Sequence, residues 1–302
     1  MKWRCANEFG VFLSVLRIGL LQQKPIYCFG IDDNFAWPLL ISLYSAKKNH
    51  KKFKKAFILY DPRHLTDEVI FYIHEKSKLL AVKLKFIPMR VTSHPEVPSY
   101  LTSSTYLRLQ IPKVTRKKAF WFDTDVLFRE GWHHISEYAI SNKSDTEPIF
   151  ARLHWPFHES ESNQAIINSK GRYFNAGVLL VNSKVWRRAR IMQNLLAIMP
   201  NYTQYGFEWA DQCVLNYYFA GEYGQIDLIY NSIPQEFNES QTRIIHFSGF
   251  HKPWTFKIDA KCQLVGLENR LEIADLSPEE RSAWQTYRET EQELLSLLAH
   301  KK

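Results

Sequence analysis

The chain reads as an α/β protein with a mostly parallel central sheet flanked by helices, and three observations predict that class. Apolar runs of strand length alternate with helix-period segments through the first half of the sequence. A chain of 302 residues with 45% hydrophobic content can bury a substantial core, as one large domain or two smaller ones. Two acidic clusters, Asp32–Asp33 and Asp123 with Asp125, each follow an apolar run directly. Both therefore fall at the carboxyl ends of parallel strands, where open sheets of this kind bind ligands.

Residues 25–30 read as a buried strand, 36–46 as a helix and 55–60 as a second strand. Thr66 caps a helix over 66–78, and 82–88 form a third strand. A helical pattern over 100–111 is stopped by Pro112, and 119–122 form the strand that delivers the second acidic pair. Residues 149–153 make a further strand. In YFNAGVLLVN, residues 173–182, Asn175, Ala176 and Gly177 precede a strand of valine and leucine, where small residues permit close approach by a ligand. ADQCVLN, residues 210–216, opens a helix with Asp211 and Gln212 in its first turn. IIHFSGFHKPW, residues 244–254, sets His246 at the end of a short strand, then a glycine turn and Lys252. Residues 276–298 read as a helix with Ser277 as N-cap, Pro278 at its first position and Glu279 and Glu280 in its first turn.

Composition excludes several classes. The four cysteines are scattered without a C-x-x-C pair, which argues against a zinc site or a disulfide framework and for free thiols in a reducing compartment. The apolar run 9–21 is interrupted by Arg17, is too short to span a bilayer and lacks a small-residue cleavage site behind it. A cytoplasmic protein is the expectation. The net charge of +8 raises nucleic acid and anionic membrane as partners. Lys47, Lys48, Lys51, Lys52, Lys54 and Lys55, with Arg116, Lys117 and Lys118, all precede parallel strands, so they lie at the sheet's far end from the acidic clusters. They read as a solvated basic edge first and a weak contact with the inner face of the membrane second. No nucleic-acid-binding module accompanies them.

Asp123 and Asp125 stand two apart, so on an extended backbone both carboxylates share a face and two hard oxygen ligands converge on one divalent cation. A polar turn after a strand has the same pattern. A lone His246 is equally compatible with a satisfied core histidine, and Asp211 with a helix-dipole partner.

Six segments in order, FGIDDNF, STYLRLQIP, FDTDVLF, YFNAGVLLVN, DQCVLN and IIHFSGFHKPW, resemble glycosyltransferase family 8 over about residues 26–254. The resemblance implies the GT-A (nucleotide-diphospho-sugar transferase) fold, with an N-terminal extension over 1–24, a catalytic domain over 25–256 and a C-terminal helical tail over 257–302. It implies a divalent metal, usually manganese, held by Asp123, Asp125 and His246 and binding the diphosphate of a UDP-sugar, with Thr124 between the two carboxylates. Lys252 would add charge to that diphosphate and Gly249 would let the backbone approach it. Gly30, Ile31, Asp32, Asn34 and Phe35 would form the nucleoside pocket. Phe35 stands where the family usually has tyrosine, which keeps the ring and loses a hydroxyl. Arg108 would lie near the donor, Asn175, Ala176 and Gly177 would face the sugar, and Asp211 and Gln212 would contact the donor sugar and anomeric centre.

Two departures bear on sugar recognition: Cys213 replaces a common aspartate, and ARLHWP, with Arg152 and His154, replaces another after the 149–153 strand. The resemblance further implies retention of anomeric configuration. Gln212 is a neutral amide and a poor nucleophile, so front-face attack suits these residues better than double displacement. The leading expectation is a metal-dependent retaining hexosyltransferase that moves galactose or glucose from its UDP-sugar to a saccharide or glycolipid acceptor, such as lipopolysaccharide core. Alternatives are a catalytically silent nucleotide-sugar-binding protein and a self-glucosylating, glycogenin-like enzyme. Trp155, Phe157, Trp209 and Trp254 are candidate stacking platforms for an acceptor sugar.

Overall fold

The computed structural model describes residues 24–90, 103–154, 162–259, 261–267 and 275–300; residues 1–23 of the expected N-terminal extension, Trp155 and Phe157 lie outside them. The central strands are β1 (Ile26–Ile31), β2 (Lys55–Tyr60), β3 (Lys83–Pro88), β4 (Lys118–Phe122), β6 (Ile149–Leu153), β7 (Phe174–Asn182) and β8 (Gly224–Gln225). They form one sheet in the order β3-β2-β1-β4-β7-β6-β8. Only β7 runs against the rest, pairing antiparallel with both β4 and β6. This is the mostly parallel α/β sheet that the alternating pattern predicts.

The helices are α1 (Ala36–Asn49), α2 (Asp67–Leu79), α3 (Ile111–Val114), α4 (Ser136–Ile140), α5 (Gln164–Ser169), α6 (Ser183–Arg188), α7 (Ile191–Ile198), α8 (Ala210–Phe219) and α9 (Pro278–His300). Strand alternation decides which side chain joins which layer. In β4, Phe120 and Phe122 enter the layer holding Trp37, Phe128 and Trp132, while Ala119 and Trp121 enter the layer of Leu107, Leu179 and Val214. Each fully buried aromatic of this kind contributes roughly 2–3 kcal/mol of apolar transfer. All nine residues of β7 are buried, as a strand covered on both faces requires.

Two expectations are corrected. The 100–111 pattern is not one α-helix: 3-10 turns over Ser103–Gln110 lead into α3, and Pro112 lies in the first turn of α3 instead of ending the preceding helix. Proline lacks an N–H that the first helical turn does not need. Asn175, Ala176 and Gly177 do not precede their strand but form its beginning, with Asn175 paired across to Arg152. Because β7 is reversed, its beginning lies at the rim where β1 and β4 end; the Asp123 amide donates to the Gly177 carbonyl at 2.8 Å.

Beyond the main sheet, β5 (Val126–Phe128) pairs antiparallel with β9 (Ile244–His246), and β10 (Phe256–Ile258) with β11 (Leu264–Gly266). The β5–β9 register sets His246 opposite Val126, beside the acidic pair. Helix α9 begins with the expected reciprocal cap, Ser277 Oγ accepting from the Glu280 amide at 3.2 Å and the Glu280 carboxylate from the Ser277 amide at 3.0 Å. It sends Ala283, Trp284, Tyr287 and Leu294 into the core shared with α1. The lysine edge lies at the amino ends of β2 and β4, where Lys48 pairs with Glu293 at 2.5 Å and Lys118 with Asp145 at 2.6 Å. Among the described residues no helix is long and apolar enough to cross a membrane.

Candidate active site

A cavity of about 530 Å³ opens at the rim where β1 and β4 end and β7 begins. Of the residues singled out in the sequence, Gly30, Ile31, Asp32, Phe35, Arg108, Asp123, Thr124, Asp125, Asn175, Gly177, Asp211, Gln212, His246, Gly249 and Lys252 line it. Ala176 stands just behind, its amide donating to Gln212 Oε1 at 2.9 Å and its carbonyl accepting from Arg108. Asn34 is not brought in: its side chain is exposed, and its backbone amide donates to Asp32 Oδ1 at 3.0 Å.

At the centre, Asp123, Asp125 and His246 bring one ligand atom each within 4.8 Å of the others, the spacing a single cation needs. His246 Nε2 lies 3.3 Å from Asp125 Oδ1 and 3.8 Å from Asp123 Oδ2. The ring's orientation follows from a chain of hydrogen bonds. The Gly177 amide donates to Asn175 Oδ1 at 2.8 Å, so that atom is an oxygen. Asn231 must then offer it an Nδ2 donor at 3.0 Å, which turns Asn231 Oδ1 toward His246 Nδ1 at 3.0 Å. The proton therefore sits on Nδ1, and the Nε2 lone pair faces the carboxylates, as a metal-binding imidazole requires. Gly177 leaves the space for that ring: a Cβ there would meet His246 Cε1 at 2.1 Å. Asp125 Oδ1 is buried without a hydrogen-bond partner. A buried oxygen of this kind, beside an oriented imidazole and a second carboxylate, fits a divalent metal of the transition series.

Two cations flank the carboxylates. Lys252 Nζ lies 2.6 Å from Asp125 Oδ2 and donates to the Phe247 carbonyl at 2.7 Å. Arg108, almost fully buried, pairs with Asp123 at 3.0 Å and Asp211 at 2.8 Å. Burial pushes the Asp123 carboxyl up, helped by Asp125 and opposed by Arg108. Burial also works against the Asp125 charge, but the Lys252 ammonium prevails and holds its carboxyl below the usual range. Burial raises Asp211 to about 6 against the pull of Arg108 and Thr105. Asp211 Oδ1 accepts from Thr105 Oγ1, whereas Oδ2 lies 2.8 Å from Arg108 Nε as an ion pair but accepts no hydrogen bond. Gln212 is committed as well, its Nε2 donating to the Tyr173 hydroxyl at 3.3 Å.

The two departures have definite structural outcomes. Cys213 Sγ accepts from the Trp209 amide at 3.3 Å and from Asn163 Nδ2 at 3.6 Å, so the start of α8 keeps a side-chain acceptor without the family's aspartate. Arg152 is buried and bonds the Glu236 carboxylate, while His154 lines the cavity. Burial, with Arg152 adding, pushes the His154 imidazole down to about 4. Of the candidate platforms, Trp209 lines the cavity; Trp254 is 7% exposed and packs on Phe35 and Tyr287.

Sequence reasoning missed Trp121, Thr105, Asn231, Gln235 and Phe250. Trp121 donates to Asp123 Oδ1 at 2.7 Å, and its position two before Asp123, at the end of β4, is a usable signal. Asn231 directly follows one short 3-10 turn and Gln235 lies within the next, Pro234–Glu236, with no sequence pattern to mark either. Phe250, 70% exposed, follows Gly249, whose φ of +99° explains the glycine.

An α/β sheet of this topology, with a carboxylate–histidine cluster at its ligand-binding rim, defines a protein of the GT-A type. The chain matches Glycosyl transferase family 8 over residues 26–257, and it belongs to that family. A Haemophilus influenzae protein with the provisional name glycosyltransferase is 27% identical over 226 residues, 71% of this chain and 65% of its own length. This chain thus spans just under two thirds of that relative. The Escherichia coli lipopolysaccharide 1,2-glucosyltransferase is 24% identical across 75% of this chain and 72% of its own. The galactosyltransferase LgtC, solved in complex with donor and acceptor sugar analogs, shares the fold at a TM-score of 0.68 and 19% identity, over 88% of this chain and 95% of that one.

Proposed function

We propose that the protein is a metal-dependent retaining hexosyltransferase that moves galactose or glucose from a UDP-sugar to a saccharide or glycolipid acceptor of the lipopolysaccharide-core class. The observation that carries this reading is the Asp123–Asp125–His246 cluster with Lys252 at its edge, set inside a cavity large enough for a nucleotide sugar. Asp32 and Phe35 receive the nucleoside at the β1 end. Asp123, Asp125 and His246 would hold manganese, which when bound would neutralise charge on the departing diphosphate and stabilise it by several kcal/mol. Lys252 adds a second positive charge to the same leaving group. Arg108 keeps Asp123 and Asp211 in place.

The sugar then lies against Asn175, Gly177 and Gln212. Gln212 carries no charge, and Ala176 and Tyr173 already hold both ends of its amide, so it positions the sugar and does not attack it. Asp211 is held on one oxygen by Thr105 and ion-paired through the other to the buried Arg108 guanidinium, whose charge weakens it as a nucleophile. These commitments favour front-face attack, with the acceptor hydroxyl approaching on the side the diphosphate leaves and passing its proton to that phosphate. We place the reaction in the cytoplasm, with weak contact at the inner face of the membrane through the lysine edge.

The test is release of UDP from UDP-galactose and UDP-glucose, with manganese and with chelator. Manganese-dependent release supports the enzyme. Tight UDP-sugar binding without turnover in the presence of a broad acceptor panel would make the protein a silent nucleotide-sugar binder.

A further inference from the structure

Helix α9 makes polar contacts with one residue that lines the cavity and with two that stand close in the chain to lining residues. Glu291 is fully buried, yet its carboxylate receives three donors from two other parts of the fold. Trp37 Nε1 donates at 2.7 Å, the Thr255 amide at 3.0 Å and the Thr255 hydroxyl at 2.5 Å. Trp37 lies two residues after Phe35, at the nucleoside end. Thr255 lies three residues after Lys252, on the segment that also carries His246 and Gly249. Tyr287, one turn earlier on the same helix, packs edge-on against Phe247 at 5.1 Å and against Trp254 at 6.2 Å. At the other end of α9, Glu280 accepts from Gln235, a cavity residue, at 2.6 Å.

A buried carboxylate is costly unless its oxygens are satisfied, and here the donors come from Trp37 and Thr255, which follow the cavity residues Phe35 and Lys252 closely in the chain. Eleven residues separate Glu280 from Glu291, so the helix fixes these anchor points about 16 Å apart. We propose that α9 is a positioning strut for the donor site, with Glu291 the residue that holds the 247–255 segment and the start of α1 in register. Lys252 then meets Asp125 and the leaving phosphate without first being ordered by the ligand. Glu291 touches neither donor nor metal, so it acts through Thr255 and Trp37. The assignment rests on the proposed role of Lys252 in donor binding.

The test compares wild type with Glu291→Gln and Thr255→Val by amide hydrogen exchange, and measures UDP affinity in the presence of manganese. Exchange over residues 247–256 should rise at least about tenfold in both variants, while β1 and β4 stay as in wild type. Affinity for UDP with manganese should fall about tenfold, and turnover at saturating donor should stay within about threefold of wild type. Unchanged exchange in that segment, or equal acceleration across the whole sheet, would overturn the positioning role. If Glu291→Gln does not fold, Thr255→Val decides, because it removes one hydroxyl donor and leaves the Trp37 contact intact. A wild-type protein without affinity for UDP would count against the donor reading alone, and the exchange comparison would still decide the role of α9.

Discussion

Gly177→Ala probes the metal cluster without replacing any of its three ligand residues. A methyl group at position 177 would stand 2.1 Å from His246 Cε1 and 2.5 Å from Nδ1. Carbon contacts need roughly 3.5 Å or more, so the ring must retreat by more than about 1 Å. It has little room to do so, being 4% exposed and bonded to Asn231 at 3.0 Å. The movement would break the Asn231 contact and carry Nε2 away from Asp125 and Asp123. Disturbing such a supporting bond costs about 10–100-fold in metal affinity, and the overpacking costs about 1–3 kcal/mol of stability. Isothermal titration with manganese, in parallel with His246→Ala, measures the first effect; urea unfolding measures the second. Manganese affinity equal to wild type in a folded Gly177→Ala protein would refute the seating of His246 against Gly177 and Asn231.

Asp125→Ala removes the carboxylate shared by His246 and Lys252, and UDP release from the donor should fall at least about 10²-fold; near-normal release in chelated buffer would argue against any role for the metal. Replacing Lys51, Lys52, Lys54 and Lys55 together with serine should leave donor hydrolysis unchanged, since these residues sit at or before the amino end of β2; a severalfold rise in the Michaelis constant would contradict that placement. His154 is held neutral in the fold, with its pKa lowered from 6.5 to about 4. The unfolded chain takes up the proton first, so this contribution to stability is present above about pH 6.5 and is lost as pH falls toward 4. Metal-free wild type should therefore lose on the order of 2 kcal/mol relative to His154→Phe across that window, measured by urea unfolding at each pH; parallel curves for the two proteins would exclude it.

How far the sequence speaks varies from residue to residue. Asp123 and Asp125 announce themselves because a strand ends in them and the i, i+2 spacing fixes their common face. Their third partner, His246, is legible only through the ordered motifs, since its approach depends on β5 pairing with β9 far along the chain. Strand direction is similarly hidden. The NAG segment of β7 meets the rim because that strand is reversed, and nothing in its composition distinguishes reversed from parallel. Pro112 is ambiguous because proline both ends helices and starts them, and only the 3-10 turn before it decides. By residue type alone the Cys213 departure reads as a lost hydrogen bond, but sulfur accepts from the helix-start amide in its place. The roles of Asn231 and Glu291 arise from tertiary contacts that no periodicity encodes.

Metal-assisted transfer with retention is tested most directly by proton NMR of the sugar released or transferred when purified protein is given UDP-α-galactose or UDP-α-glucose with manganese. UDP release should require the metal and be lost in Asp125→Ala, with the α-configured product appearing first. A β-configured first product, or equal turnover in the presence of chelator, would contradict that mechanism.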